Sequence, residues 1–466
     1  MVFSSMLFIW LFLPLVLLFY HILDVRYKNL LLLISSLIFY AWGEPIYIVL
    51  MLITITINFV MGLIINKFSK YKKLVLAVTI IINLGLLGYF KYFNLVVTTL
   101  NSIFNFNALS TKEIALPIGI SFYTFQALSY VVDLYRGEIE VQKKWHKLAL
   151  YIAFFPQLIA GPIVRYKDIC KQIDSRKCTL NEFAYGVKRF IYGLGKKVII
   201  SNSMALVVDN ILQLENGYLG TGLSWCVAIC YTMQIYFDFS GYSDMAIGIG
   251  KMFGFDFVEN FNYPYISKSV QEFWRRWHIS LSTWFREYLY IPLGGNRKGK
   301  IRTIVNLFIV FLCTGLWHGA SYTFVLWGLY HGLFMITERL FLGKILEKNP
   351  IKLINYIYTM LVVMIGWVLF RADNLTIAGN IIKNMFCFKN DSLYSVFQFV
   401  DAKIICIIIV AVIIGIIIPI INKSNYFVAN VEKTTTIEIV LCTVIMIYSI
   451  IMLISNTYNP FIYFRF

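Results

Sequence analysis

This chain contains a series of apolar runs, each long enough to cross a lipid bilayer. A transmembrane helix needs about 20 mostly apolar residues, and such runs recur along most of the 466 positions. Lipid offers no hydrogen-bond partner to a backbone, so each run must close its own hydrogen bonds as a helix. The sequence therefore predicts an all-α polytopic membrane protein. The predicted spans are residues 6–23, 29–43, 46–65, 74–92, 114–134, 147–164, 185–208, 219–237, 303–318, 321–341, 353–370, 403–421 and 436–455.

Composition agrees with this fold class, because 59% of the residues are hydrophobic and only 14% are charged. We expect some segments to be re-entrant, which gives about 11–13 transmembrane or re-entrant helices. The first run has no Lys or Arg before it and no small-residue cleavage site after Tyr20 and His21. It is therefore predicted to be a retained helix rather than a signal peptide.

The net charge of +17 is concentrated in particular loops. Counting alternate crossings from an outside N-terminus places the basic loops on the cytoplasmic side, as the positive-inside rule requires. The surplus is thus a topology signal, and we expect membrane lipids rather than nucleic acid as the partner of this surface. The residues concerned are Arg26 and Lys28, then Lys67, Lys70, Lys72 and Lys73, then Arg136, Lys143, Lys144 and Lys147.

We find no internal repeat or linker, so residues 1–466 are predicted to form one membrane domain. The eight cysteines include no CxxC motif, and Cys226 and Cys230 lie one helical turn apart in an apolar run. Core packing explains them better than a metal site or a disulfide, and no metal is predicted. Residues 136–302 combine charge, interrupted apolar runs and five of the ten tryptophans. Because broken helices at membrane depth must line a cavity or be buried in protein, function is expected within 136–342.

His318 stands out among the five histidines because it lies in or at the end of an otherwise apolar span. Histidine is suited to act as a general base near neutral pH. An imidazole is costly to bury in lipid, so it must face a cavity or a hydrogen-bonding partner on a neighbouring helix. Gly315 and Gly319 are expected to leave space for a substrate beside it. On the residues alone, a catalytic and a purely structural role both remain open.

His278 lies in segment 271–287, whose spacing of large apolar residues predicts an amphipathic helix. Such helices commonly anchor a protein at the membrane surface. Alternatively, the arginines attract the phosphates of a CoA-like donor and His278 points into the same cavity as His318. The apolar stripe is Trp274, Trp277, Leu281 and Trp284, and the cations are Arg275, Arg276 and Arg286.

Two carboxylates, Asp238 and Asp244, follow an apolar span. They are expected to form a polar pocket floor, or alternatively to cap a helix beginning near Met245. The motif Gly161–Pro162 predicts a break or kink in its span, as does the motif 117–119, and either could open the cavity or mark a helix end. For His331, which has few charged neighbours, a structural role is expected.

Five motifs occur in the order typical of the membrane-bound O-acyltransferase family, and the chain most resembles the branch of the alginate O-acetyltransferase membrane subunit. The resemblance covers most of the chain, and five ordered motifs are far more specific than one Trp-His-Gly triplet. The motif near 366–372 fits the same branch. The five motifs are Phe154–Tyr166, Asp238–Asp244, Glu272–His278, Tyr290–Asn296 and Leu316–Gly319.

This resemblance implies a ring of helices around a central funnel, which a thioester donor enters from the cytoplasm and an acceptor from outside. It implies that His318 is the catalytic histidine and that His278 is the second signature histidine. The implied reaction moves an acyl group, expected to be acetyl, from acetyl-CoA or another acyl thioester toward an extracellular polysaccharide, with no bound cofactor. The residues then expected to contact substrate are Trp317, Arg275, Arg276, Asp238 and Asp244.

Residues 459–466 include four aromatic side chains. A membrane-interface anchor is one explanation. The segment also resembles the tyrosine-bearing C-terminal motif of the related D-alanyl-transfer machinery for teichoic acids. By that resemblance, Tyr463 is expected to act as an acyl relay that passes the group to an extracellular SGNH-type acetyltransferase.

Two rival functions remain. One is a polysaccharide transporter or flippase, although transporters commonly show repeated halves with matching broken helices. The other is a D-alanyl or other acyl transferase of the same family. The sequence does not identify the acceptor polysaccharide or the length of the acyl chain.

Overall fold

The computed structural model describes residues 1–104, 110–214, 219–387, 393–422, 435–455 and 458–462. These residues form helices joined by turns and contain no β-strand. The prediction of an all-α membrane protein is confirmed.

Seven helical segments in the described ranges are long and apolar enough to cross a bilayer. They correspond to seven of the predicted spans, and the remaining spans form helices that are shorter, interrupted or less apolar. The span expected at 147–164, for example, is two short helices that meet at Phe154, with Gly161 and Pro162 beyond them. The seven segments are Tyr47–Lys67, Ser69–Phe104, Leu180–Leu212, Gly299–His318, Lys352–Arg371, Ala402–Ile421 and Thr436–Ser455.

A first compact unit consists mainly of Met1–Phe190 and Ser243–Val258. Within it, Asn58 and Asn83 exchange two side-chain hydrogen bonds of 3.0 and 3.1 Å between neighbouring apolar helices. Such polar pairs hold helices together in lipid. The helices are α1 (Leu13–Ile22), α2 (Val25–Ala41), α3 (Tyr47–Lys67), α4 (Lys72–Phe104), α5 (Ile120–Arg136), α6 (Trp145–Ala153), α7 (Phe155–Leu158), α8 (Tyr166–Asp174) and α9 (Leu180–Gly195), whose last turn leaves the unit.

A second compact unit consists of Ile191–Tyr242, Glu259–Ala429 and Thr435–Phe466. Its core is rich in aromatic side chains, including Trp277, Trp327 and Trp367. The two units alternate along the chain, and a single membrane domain stays a prediction. The helices are α10 (Asn202–Leu212), α11 (Thr221–Met252), α12 (Val270–Arg276), α13 (Ile279–Phe285), α14 (Gly299–His318), α15 (Tyr322–Thr337), α16 (Gly343–Lys348), α17 (Lys352–Arg371), α18 (Leu375–Phe386), α19 (Ala402–Val412), α20 (Ile418–Asn422) and α21 (Thr436–Ser455).

Helix α11 runs without a break past both candidate carboxylates, so the alternative that they cap a helix beginning near Met245 is wrong. Inside a helix the backbone amides are already bonded and offer no free donors to a cap. By contrast, the break expected at residues 117–119 is confirmed. Helix α5 begins directly after Gly119, whose φ of 77° is a left-handed conformation that glycine adopts without strain.

Candidate active site

Helices α14 and α15 pack backbone against backbone, and this contact fixes the end of α14. A Cβ built on Gly315 would lie 2.4 Å from the Phe324 carbonyl oxygen, and one built on Gly328 would lie 2.4 Å from the Phe311 carbonyl oxygen. A Cβ on Gly319 would lie 2.2 Å from the Phe324 ring. The expectation that Gly315 and Gly319 leave room for a substrate is therefore wrong, because α15 already fills that space.

His318 is the last residue of α14 and is almost completely buried. Its ring centroid lies 5.0 Å from those of Trp317 and Trp327 and 5.3 Å from that of Phe370. It borders a small, partly open pocket, with room for about one water molecule. The imidazole thus has an aromatic enclosure with an open side, which suits chemistry from which water must be excluded. The cavity is lined by Ile235, Phe239, Trp277, His318, Trp367, Phe370 and Ile462.

His278 interrupts the amphipathic helix that the sequence predicts, so that prediction is wrong. The segment forms two short helices, α12 and α13, and His278 between them has φ 43° and ψ 55°. A left-handed backbone is uncommon for residues other than glycine, although histidine adopts it more often than most, and such conformations are concentrated at functional sites. The turn lets Trp274 and Trp277 be buried rather than lie along a membrane surface.

Asn260, which sequence reasoning missed, holds this turn in place. Its side-chain oxygen accepts hydrogen bonds from His278 Nδ1 at 3.0 Å and from Ser280 Oγ at 2.8 Å. Its backbone oxygen accepts from the Ile279 amide at 2.9 Å. Because a carbonyl oxygen only accepts, Nδ1 must carry the proton and Nε2 must carry the lone pair. Nothing in the sequence signals this contact, because 18 residues separate the two side chains.

His278 Nε2 is buried and has no hydrogen-bond partner among the described residues. Burial also lowers the pKa of His278 to about 3, so the ring is neutral at physiological pH. A neutral imidazole with a buried lone pair can accept a hydrogen bond or a proton from a group that enters the site.

The structure brings His278 and His318 together, with ring centroids 6.3 Å apart. Trp317 lies beside both, at 5.9 Å from His278 and 5.0 Å from His318. His318 lines the cavity described above, whereas His278 is not among its lining residues. Each imidazole is able to take up and return one proton.

Glu338 holds the N-terminus of α12 and was also missed by sequence reasoning. Its carboxylate oxygens accept the Val270 amide at 2.7 Å and the Gln271 amide at 2.8 Å, and Tyr358 donates its hydroxyl at 3.1 Å. A carboxylate at a helix N-terminus satisfies amides that have no partner within the helix. The α12 segment, and with it the His278 turn, is thus bonded to the C-terminal end of α15.

The arginines of α12 differ in how their charge is used. Arg276 forms a 3.0 Å ion pair with Glu272 and donates to the Asn262 carbonyl at 3.1 Å. Arg275 is exposed and forms two long hydrogen bonds of 3.4 Å to Gln271. Arg275 therefore has the more available charge for an anionic ligand.

The two carboxylates of α11 both form ion pairs, and their role as a pocket floor stays a prediction. In the second unit, Asp238 pairs with Lys197 at 2.7 Å. In the first, Asp244 pairs with Arg189 at 2.9 Å. Each charge is balanced by a basic side chain of the preceding helical segment, and their predicted contact with substrate stays a prediction.

Tyr463 lies outside the described residues. The residue before it, Ile462, lines the same cavity as His318. His331 is fully buried, with its ring centroid 5.2 Å from that of Trp327 and 5.3 Å from that of Trp274. Across the described ranges, no group of three or more histidine, cysteine or acidic residues is placed to hold a metal ion.

The membrane-bound O-acyltransferase family model matches residues 144–378, about half of the chain. The chain is 41% identical to the probable alginate O-acetylase AlgI of Pseudomonas putida over 100% of both proteins. It is 38% identical to the peptidoglycan O-acetyltransferase of Helicobacter pylori, over 83% of this chain and 80% of that protein. It is 31% identical to the teichoic acid D-alanyltransferase of Bacillus subtilis, over 48% of this chain and 59% of that protein.

These matches, the seven apolar helices and the buried histidine pair point to one conclusion. The chain belongs to the membrane-bound O-acyltransferase family and is a multi-pass membrane O-acyltransferase.

Proposed function

We propose that this enzyme takes an acetyl group from a cytoplasmic thioester, acetyl-CoA, and passes it across the membrane for O-acetylation of an extracellular or cell-wall polysaccharide. The observation that carries the proposal is the placement of His318 in a cavity at the end of α14, with His278 only 6.3 Å away. The names of the relatives, which include alginate and peptidoglycan O-acetylating proteins, support acetyl as the group and polysaccharide as the acceptor.

In the first step, the His318 imidazole removes the proton of an attacking hydroxyl. The hydroxyl oxygen then forms a bond to the thioester carbonyl carbon, and the carbon–sulfur bond breaks. The leaving thiolate takes the proton back from the imidazolium, so His318 returns to its neutral form. His278, with its lone pair on Nε2, accepts a hydrogen bond within the site. Aromatic rings around His318 exclude water that would otherwise hydrolyse the donor.

The donor's phosphates need cations outside the apolar cavity. Arg275 and Arg276 on α12 suit this role, because guanidinium groups bind phosphate through paired hydrogen bonds. Arg275 is exposed, whereas Arg276 is already engaged with Glu272. Trp317, packed beside both histidines, is proposed to contact the acyl group.

The first hydroxyl to be acylated is proposed to be that of Tyr463, which makes this residue an acyl relay. Support comes from Ile462, the preceding residue, which lines the His318 cavity. A tyrosyl ester suits onward transfer, because the phenol has a pKa of about 10 and leaves more readily than a sugar hydroxyl. In the second step, a sugar hydroxyl attacks this ester and the phenol regains its proton. An SGNH-type acetyltransferase outside the membrane is proposed to catalyse that step.

The main alternative is transfer of a D-alanyl group from a carrier protein. The similarity to a teichoic acid D-alanyltransferase favours it, but that match covers 48% of this chain, against 100% for the alginate relative. Acetyl transfer is therefore the better supported of the two.

Incubating the purified protein with acetyl-CoA labelled in the acetyl group tests the proposal. The wild-type protein should release free CoA and acquire label at Tyr463, as judged by mass spectrometry of the C-terminal peptide. His318→Ala should lower the rate by about 10²- to 10⁴-fold, the range expected on removing a general base. His146→Ala is the matched control, because His146 is exposed on α6, and it should keep full activity.

A fully active His318→Ala variant would reject the assignment of the base. Activity with a D-alanyl carrier protein but not with acetyl-CoA would select the alternative. Acetyl transfer without label on Tyr463, even when no downstream partner is present, would reject the relay alone.

A further inference from the structure

A buried ion pair lies in the second unit and takes no part in the reaction steps proposed above. Lys197 and Asp238 are 2% and 1% exposed, and Nζ of the lysine lies 2.7 Å from the aspartate carboxylate. Burying two charges is unfavourable, and their attraction compensates only when the remaining hydrogen-bonding capacity is also used. The other partners of this pair therefore indicate what the pair is for.

Two of those partners are backbone groups of the C-terminal tail, a name used here for residues 458–462. Lys197 donates a hydrogen bond to the Pro460 carbonyl oxygen and another, of 2.9 Å, to Asn202. Asp238 accepts the Ile462 amide at 2.9 Å. The cation thus binds a carbonyl and the anion binds an amide two residues later. Because these contacts are to backbone atoms, they hold the main chain of the tail at two points, and the side chains of the tail select which residues occupy those points.

Neighbouring tail residues are bound as well. Asn202 donates to the Asn459 side-chain oxygen at 3.1 Å, and the Phe461 ring stacks on Tyr242 with centroids 4.8 Å apart. Tyr458 donates its hydroxyl to Asp209. All these partners belong to the second unit, which also contains the His318 cavity.

The bound tail ends at the cavity, where Ile462 contributes to the lining beside His318. A shift of register by one residue would replace Ile462 in this lining by a neighbouring residue, since successive Cα atoms are 3.8 Å apart. By holding the Pro460 carbonyl and the Ile462 amide, the ion pair keeps Ile462 at the cavity.

We propose that Lys197 and Asp238 form a docking site for the C-terminal tail and act as positioning residues for its acylation. The ligand class is an extended peptide of this chain, held by one carbonyl and one amide, and the acylation part rests on the proposed relay function. Tethering makes the tail a ligand of high effective concentration. Apolar contacts of Phe461 and Ile462 would suffice to anchor the tail. The charge pair additionally holds the Pro460 carbonyl and the Ile462 amide in place.

Docking of the tail is measured by the rate of chymotrypsin cleavage after Tyr458, a measurement that does not depend on acyl transfer. The full-length protein in detergent is treated with the protease, and intact mass reports loss of the tail. Lys197→Met with Asp238→Leu removes both charges at similar volume, a change that folded proteins often tolerate. Ile462→Pro removes the amide donor and leaves the ion pair in place, and it is compared with Ile462→Ala, which changes the side chain but keeps the amide. The matched control is Arg189→Met with Asp244→Leu, which removes the other ion pair of α11.

We expect cleavage to be at least about 10-fold faster in both tail-directed variants than in the wild-type protein, with the control unchanged. Cleavage at the wild-type rate in both tail-directed variants would overturn the docking site. If the double variant does not fold, the cleavage rate of the Ile462→Pro variant alone decides whether the docking site exists. Released tails together with undiminished acetyl transfer would leave docking established and reject the relay of Tyr463.

Discussion

Asn260 presents one side-chain oxygen to His278 and to Ser280, and this contact selects the imidazole tautomer. Asn260→Ala should lower the rate of acyl transfer by about 10²-fold, because it removes the acceptor that keeps the proton on Nδ1 and leaves a buried donor unsatisfied. The rate is measured as release of CoA from acetyl-CoA. Ser280→Ala is the control, because it removes a hydrogen bond to the same oxygen but leaves His278 bonded. Equal losses in the two variants would indicate a general structural role for Asn260.

The buried His278 also predicts how stability depends on pH. An imidazole in an unfolded chain has a pKa of about 6.5, whereas burial lowers that of His278 to about 3. Between these values the unfolded state binds a proton that the folded state excludes, so the free energy of unfolding falls as the pH falls. The thermal midpoint in detergent should therefore decrease from about pH 6.5 downward. His278→Gln keeps an amide donor for Asn260 but does not titrate, so its midpoint should decrease less. Parallel curves for the two proteins would contradict this.

The contact between helices α14 and α15 depends on the absence of a side chain at Gly315. An added methyl group would lie 2.4 Å from the Phe324 carbonyl, which is backbone and cannot move aside. Gly315→Ala should therefore cost about 1–3 kcal/mol of stability and shift His318, one turn later. A displacement of about 1 Å can lower a rate by about 10²-fold.

Gly85→Ala in α4 is the matched control, because a methyl group there meets nothing within 4 Å. It should leave activity unchanged and stabilise the helix by up to about 1 kcal/mol. Thermal midpoints and acetyl-transfer rates of the two variants, measured side by side, test the comparison. A Gly315→Ala enzyme with the properties of the Gly85→Ala enzyme would mean that α14 and α15 separate at no cost.

The same elements show where sequence reasoning succeeds and where it fails. Apolar runs predict helices because lipid forces the backbone to bond within itself, and an isolated His318 is conspicuous because burying it is costly. Periodicity, however, predicted a continuous helix through His278. The contact that breaks it comes from Asn260, and no local pattern encodes a hydrogen bond across 18 residues. Glycine positions likewise indicate close approach without saying whether a helix or a substrate fills the space.

For the whole molecule, the basic loops predict an orientation that the proposed reaction needs, since the donor must arrive from the cytoplasm. Helix α3 ends at Lys67 and α4 begins at Lys72, so the exposed turn that contains Lys70 joins two apolar segments. The exposed Glu113 follows the end of α4. If α4 crosses the bilayer once, these two positions lie on opposite sides, and the positive-inside rule places Lys70 in the cytoplasm.

Single cysteines at these positions, Lys70→Cys and Glu113→Cys, test this orientation in a protein whose eight native cysteines have been replaced. In intact cells, a membrane-impermeant maleimide should label position 113 and should label position 70 only after permeabilisation. A charged reagent cannot cross the hydrocarbon core, so labelling reports the side directly. Equal labelling of both sites in intact cells would show that α4 does not cross. Labelling of position 70 alone in intact cells would mean that the chain has the opposite orientation. The site proposed for the donor would then face outward, which would contradict transfer from the cytoplasm.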